Sequence, residues 1–201
     1  MMVAANGLQA LRKKMQHKLS SKAMSTGATN GDSYSTPMCV VHWLEKDIIQ
    51  CKFTLDPCAQ KHTAKAEKFF TTLEGGLKQS WKGYIVFCNP PHSRGQADRW
   101  LKKAYTSFVE DGVHSVVLVR ADTGTDWFRK WVPQATGVIF TERISFLDPN
   151  TGKPSHGNSM ASAFFLFGVG VPALNATCMF LRYEKKKPND SSKKAVVDSR
   201  A

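Results

Sequence analysis

The 201-residue sequence predicts an α/β fold: an open, mostly parallel sheet with helices on both faces. Three observations carry that prediction. Apolar runs of β character alternate along the chain with segments of helical period. The runs are continuous, residues 115–119 reading Ser-Val-Val-Leu-Val, as strands covered on both faces require. A composition of 42% apolar and 22% charged residues is ordinary globular usage, enough for one buried core in a chain of one domain's length.

Taken in order, residues 1–35 are rich in Ser, Thr, Gly, Asn and Lys and read as a flexible basic arm. The folded domain is expected over 36–183. A helix over 37–48 follows from Val40, Val41, Leu44 and Ile48, which recur at helical spacing. Residues 52–55, 84–88, 113–119, 137–140 and 161–167 read as strands. Between the second and third of these, Trp100, Leu101, Ala104, Tyr105 and Phe108 mark a helix over 96–109. Residues 184–201 read as a disordered basic tail.

The formal net charge is +12, from 28 Lys and Arg against 16 Asp and Glu, and an excess of that size favours polyanionic partners through counterion release. Nucleic acid is the first candidate. About two thirds of the excess sits at the two ends, over residues 1–35 and 182–201, where it serves solubility or, around Lys185-Lys186-Lys187, a nuclear address equally well. Charge alone therefore names no function. Five cysteines without a C-x-x-C pair support neither a disulfide framework nor a zinc knuckle, and fit reduced thiols. No apolar run approaches the ~18 residues of a membrane span, and the first 21 residues lack the apolar stretch of a signal peptide. An intracellular protein of cytoplasm or nucleus is expected, neither secreted nor membrane-bound.

In open parallel sheets ligands bind beyond the carboxyl ends of the strands. Three strand ends here are chemically unusual, Asp56-Pro57-Cys58, Asn89-Pro90-Pro91-His92 and Arg120-Ala121-Asp122, and all three are expected on one rim. The second is the strongest signal. Consecutive prolines fix the backbone and remove two N–H donors, so the Asn89 side-chain oxygen and the Pro90 carbonyl form a pair of adjacent acceptors. Such a pair suits both hydrogens of an exocyclic amine, with the ring at position 92 stacked on the base that carries it. The amine of adenine is a poor nucleophile because its lone pair is delocalised, and two acceptors would aim that lone pair at an electrophilic methyl group. A rigid turn after a strand is the plainer reading of the same residues.

The motifs in sequence resemble the phage-type DNA N6-adenine methyltransferases, amino-methyltransferases with a (D/N)-P-P-(Y/F/W) hallmark. The likeness runs over roughly residues 32–168. It is carried by Tyr34-Ser-Thr36-Pro37, by Phe53-Thr-Leu-Asp56-Pro57-Cys58-Ala59, and by Leu73-Glu74-Gly-Gly-Leu77 with Trp81-x-Gly83. Asn89-Pro90-Pro91, Trp100 with Lys103-Ala104, Thr123-Gly-Thr125-Asp-Trp127-Phe128, Arg143-Ile-Ser-Phe146 and Ser159-Met-Ala-Ser162 complete the series.

This resemblance implies a Rossmann-like methyltransferase fold and transfer of a methyl group from S-adenosylmethionine to adenine N6 in DNA, the base being flipped out. It implies catalytic roles for Asn89, Pro90, Pro91 and His92. It places Thr36, Pro37, Asp56, Pro57 and Cys58 against the cofactor, with Glu74, at the end of a second strand, as a candidate for the ribose hydroxyls or else a surface residue. Arg94 and Arg99, with Lys102 and Lys103, and the later Arg143, Lys153 and His156 are candidate contacts to DNA. No metal is expected.

Three positions depart from the pattern: His92 where a larger ring is usual, Gly124 where the family has Asp, and Arg120-Ala-Asp122 where Pro-Ala-Arg is usual. These keep two rivals open, an inactive nucleic-acid-binding relative and an amino-methyltransferase acting on cytosine N4, RNA or a protein amide. A zinc base deaminase is disfavoured, since neither H-x-E nor P-C-x-x-C occurs. The tryptophans Trp81, Trp100, Trp127 and Trp131 are expected in the core.

Overall fold

Parallel strands form the frame of the molecule. The computed structural model describes residues 34–155 and 158–170 and the backbone of a strand at 178–181. The tail expected over 184–201 and all but Tyr34 and Ser35 of the expected arm lie outside the described residues, as does His156. The strands are β1 (Leu55–Asp56), β2 (Lys68–Phe69), β3 (Ile85–Cys88), β4 (His114–Arg120), β5 (Gly137–Thr141), β6 (Ser162–Phe167) and β7 (Cys178–Leu181). They make one sheet in the order β2-β1-β3-β4-β6-β5-β7. β1 pairs in parallel with β2 and β3, β3 with β4, and β5 with β7. β6 runs antiparallel between β4 and β5. The sheet is thus mostly parallel, as expected, with one reversed strand.

Both faces are covered. α1 (Met38–Trp43) continues into a π-turn at Leu44–Ile48 and packs Val40, Val41, Leu44 and Ile48 against Phe87, Val116, Leu118, Ile139, Phe164 and Leu166. On the other face α2 (Gln96–Asp111) and α3 (Asp126–Trp131) pack Trp100, Leu101, Ala104, Phe128 and Trp131 against Val86, Cys88, Val117, Val119, Phe165 and Phe167. Alternate residues of β3, β4 and β6 therefore serve opposite layers, which is why these strands are apolar at nearly every position. Trp81, Trp100 and Trp131 are buried as expected, while Trp127 is half-buried at the edge of the same cluster.

Local chemistry sets the boundaries. Glu45, buried in the π-turn, accepts hydrogen bonds from Phe53 N–H (3.1 Å) and from the Lys52 ammonium (2.7 Å), anchoring the approach to β1. The Thr54 hydroxyl accepts from Ile85 N–H at 2.8 Å, so a side chain replaces a ladder carbonyl and β1 begins only at Leu55, later than the 52–55 run suggested. α2 ends at Gly112, whose φ of 67° is the left-handed conformation glycine adopts without strain and whose N–H reaches Phe108 O at 2.9 Å.

Candidate active site

Because β1, β3 and β4 are parallel and adjacent, their carboxyl ends deliver Asp56-Pro57, Asn89-Pro90 and Arg120 to one edge of the sheet. The antiparallel strand β6 begins at the same edge, with Ser162 opposite Arg120. The single expected rim is therefore observed.

Asn89 directly follows β3. Its amide Nδ2 donates to the backbone carbonyl of Tyr34 at 3.4 Å, which turns Oδ1 the other way. That oxygen is buried and has no hydrogen-bond partner among the described residues. Four buried side-chain polar atoms share this condition; the others are Thr36 Oγ1, Trp100 Nε1 and Ser115 Oγ. Asn89 and Thr36 were both singled out as site residues by the sequence, and an unsatisfied buried acceptor costs about 1–3 kcal/mol unless a ligand fills it. Pro90 is buried and Pro91 half-buried.

His92 lies half-buried at a cavity of about 130 Å³, with its ring edge-on to Phe146 at 6.2 Å between centroids. Tyr34, Arg120, Ser155, Asn158 and Ser162 contribute to the same wall. The loop between β5 and β6 shapes this cavity through bridges from Leu147 to both Ser35 and Pro154, and through a 2.7 Å bond from Ser155 N–H to Phe146 O. Arg120 is found on the rim where its strand end was expected, whereas Tyr34 and Phe146 carried the resemblance without a role in the site. These two come from distant segments, and only the assembled fold brings them to His92.

Asp56 is buried, 3% exposed. Its two oxygens accept from Cys58 N–H (3.2 Å) and Lys65 N–H (3.1 Å). Desolvation nevertheless pushes its pKa up to about 6, against the lowering effect of those bonds and of the Lys65 charge. The Lys65 ammonium donates to Ser35 Oγ at 2.7 Å, and its own pKa is lowered by burial. Ser35 in turn exchanges two 2.8 Å backbone bonds with Leu147. One short segment, Tyr34-Ser35-Thr36, therefore touches Asn89, the Asp56 loop and the cavity loop.

Pro57 is buried beneath the loop after β2, where Gly76 packs so closely that a Cβ there would sit 1.9 Å from Pro57 O. The Trp81 indole N–H donates to Gly76 O at 3.0 Å, which explains a Gly-Leu and Trp motif without a G-x-G loop. Glu74 lies on this loop, five residues past the end of β2. It is exposed, and accepts from Thr71 N–H (2.8 Å) and Thr71 Oγ1 (2.9 Å), bonds that lower its pKa. Thr36 and Pro37 are buried at the start of α1, and Cys58 is half-buried. Arg94, Arg99, Lys102, Arg143 and Lys153 are all exposed, whereas the Lys103 ammonium sits over the Trp81 ring at 5.7 Å.

Known proteins share much of this chain. It is similar to the DNA N-6-adenine-methyltransferase of Escherichia phage T1, with 30% identity over 162 residues covering 72% of this chain and 66% of that protein. It thus spans just under two thirds of the phage protein's length. A modification subunit of a putative type I restriction enzyme from Vibrio vulnificus YJ016 aligns over 92% of this chain and 53% of its own, at 11% identity and a TM-score of 0.44. The model of the DNA N-6-adenine-methyltransferase (Dam) family matches residues 23–191, which take in every strand and helix of the described sheet, and the chain belongs to that family.

Proposed function

We propose that the protein transfers a methyl group from S-adenosylmethionine to the N6 amine of adenine in DNA, acting on a base flipped out of the stack. The observation that carries this reading is the orphaned Asn89 Oδ1, a buried acceptor at the start of the Asn-Pro-Pro turn whose next residue, His92, lines a cavity with Phe146 and with Tyr34, the residue Asn89 Nδ2 bonds to. An acceptor with its amide nitrogen already committed to Tyr34 O is matched to an N–H donor from a substrate. Asn89 Oδ1 and the Pro90 carbonyl hold the amine hydrogens, Pro91 fixes the turn, and His92 stacks on the base.

The residues on the rim fit the cofactor by the chemistry of their donors. S-adenosylmethionine supplies an electrophilic methyl group on a positively charged sulfur. Asp56, buried and reluctant to ionise alone, is a counter-charge for the cationic methionyl part, with Pro57 and Cys58 forming the adjoining backbone. Thr36 Oγ1, buried without a partner among the described residues, supplies a hydroxyl beside Pro37. Glu74, kept ionised by Thr71, is the acceptor for ribose hydroxyls. Arg94, Arg99, Arg143 and Lys153 are placed by this reading along the DNA backbone, where exposed cations act on phosphates without reading sequence. Intracellular residence is the natural corollary of a DNA substrate; among the described residues no helix is long and apolar enough to cross a membrane.

Calorimetry with S-adenosylhomocysteine, combined with nucleoside analysis of DNA incubated with labelled cofactor, tests the assignment. Saturable binding and N6-methyladenine as the labelled product are expected. Label in N4-methylcytosine, or no cofactor binding at all, would overturn it.

A further inference from the structure

Arg120 closes β4, and its backbone is held by the sheet opposite Ser162, with Ala121 N–H bonded to Ala161 O at 3.0 Å just beyond. It is exposed, lines the cavity of His92 and Phe146, and is the one fully charged side chain among the lining residues. No carboxylate shares that lining. Its guanidinium makes neither an ion pair nor a side-chain hydrogen bond among the described residues, in contrast to Lys130, paired with Asp98, and Arg129, paired with Asp126. An unpaired fork of donors on a rigid strand end, at the mouth of a cavity of about 130 Å³, is built for a planar or tetrahedral anion.

When a base enters such a cavity its sugar and phosphates stay at the mouth, because only the ring leaves the backbone. We propose that Arg120 binds a phosphate flanking the flipped nucleotide and so anchors that nucleotide while its base lies against His92. This rests on the DNA-methyltransferase reading above and extends it to a residue outside the Asn-Pro-Pro turn and outside the surface cations Arg94, Arg99, Arg143 and Lys153. The position of Arg120 at the end of β4 also gives the anchor a fixed distance from Asn89, since β3 and β4 are direct neighbours in register. A cation on a flexible loop would not hold the nucleotide against rotation back into the duplex.

The test measures binding to two duplex oligonucleotides, one fully paired and one carrying a single mismatched adenine that is cheap to flip, across 50–200 mM salt. Loss of one phosphate contact flattens the dependence of log K on log salt by about 0.9. For Arg120→Gln the wild-type advantage on the mismatched duplex should therefore shrink about threefold across that range. The fully paired duplex should show a smaller change, and S-adenosylhomocysteine affinity should equal that of wild type. Arg120→Lys should keep the wild-type slope while binding more weakly, because it retains the charge but not the fork. An Arg120→Gln slope equal to wild type on the mismatched duplex would overturn the proposal, as would an equal change on both duplexes. A wild-type protein that binds neither S-adenosylhomocysteine nor DNA would instead sink the methyltransferase reading itself.

Discussion

Asp56 illustrates how the burial of a single residue links folding to pH. Its pKa of about 6 in the folded protein lies above the ordinary value of 3.8, because burial outweighs two backbone N–H bonds and the Lys65 charge. Between those values the folded chain binds more protons than the unfolded one, so this group lowers stability as pH rises from about 4 to about 6. The loss amounts to about 3 kcal/mol once the group is fully ionised. Asp56→Asn removes the titration and the acceptor together, so it carries a constant penalty. Its stability relative to wild type should nevertheless improve steadily across that window in urea titrations at several pH values. A difference independent of pH would show that Asp56 is ionised throughout. A cation bound beside Asp56 favours the carboxylate, so cofactor binding near pH 5 should release a proton, measurable by calorimetry in buffers of different ionisation enthalpy.

The loop after β2 is the element that packs against the Asp56-Pro57 turn, the proposed cofactor rim. Gly76→Ala places a methyl group against Pro57 O, a contact of 1.9 Å that only backbone displacement relieves. Overpacking of this kind costs about 1–3 kcal/mol, and because the displaced atoms belong to the Asp56-Pro57 turn, S-adenosylhomocysteine affinity should fall about tenfold. Unchanged affinity in a well-folded variant would show that the turn tolerates the shift. The segment 34–36 forms a second such element: Lys65→Met removes the 2.7 Å bond to Ser35 and should weaken cofactor binding while leaving α1 and the sheet intact by circular dichroism. Retention of full affinity in that variant would make the contact incidental.

Elements were readable from the sequence where period and composition agree. The strands at 84–88, 113–119, 137–140 and 161–167 and both long helical stretches are found within a few residues of expectation. β7 went unrecognised, and β2 amounts to two residues whose pairing depends on β1. The reversal of β6 was invisible because apolar strands covered on both faces look alike in either direction. Asn89 and His92 were legible because proline chemistry is local. Phe146 and Tyr34, which line the cavity with His92, owe their place to the Ser35, Leu147 and Pro154 bridges, contacts no local pattern encodes.

Viewed whole, the molecule divides labour between a rigid sheet and the loops at one edge of it. The two apolar layers fix β1, β3 and β4 side by side, and the candidate groups sit at their carboxyl ends: Asp56 and Arg120 close β1 and β4, and Asn89 directly follows β3. In the proposed function the surface cations Arg94, Arg99, Arg143 and Lys153 act in bulk on DNA, whereas Asn89 acts on one amine. The measurement that bears most directly on this account is therefore methyl transfer from labelled S-adenosylmethionine to DNA by wild type and by Asn89→Ala, with cofactor affinity measured in parallel. Removing one preorganised partner of the reacting group should lower the rate constant about 10²–10³-fold and leave S-adenosylhomocysteine binding within about twofold of wild type. Equal rates for the two proteins would contradict the account, since the orphaned acceptor would then have no part in holding the amine.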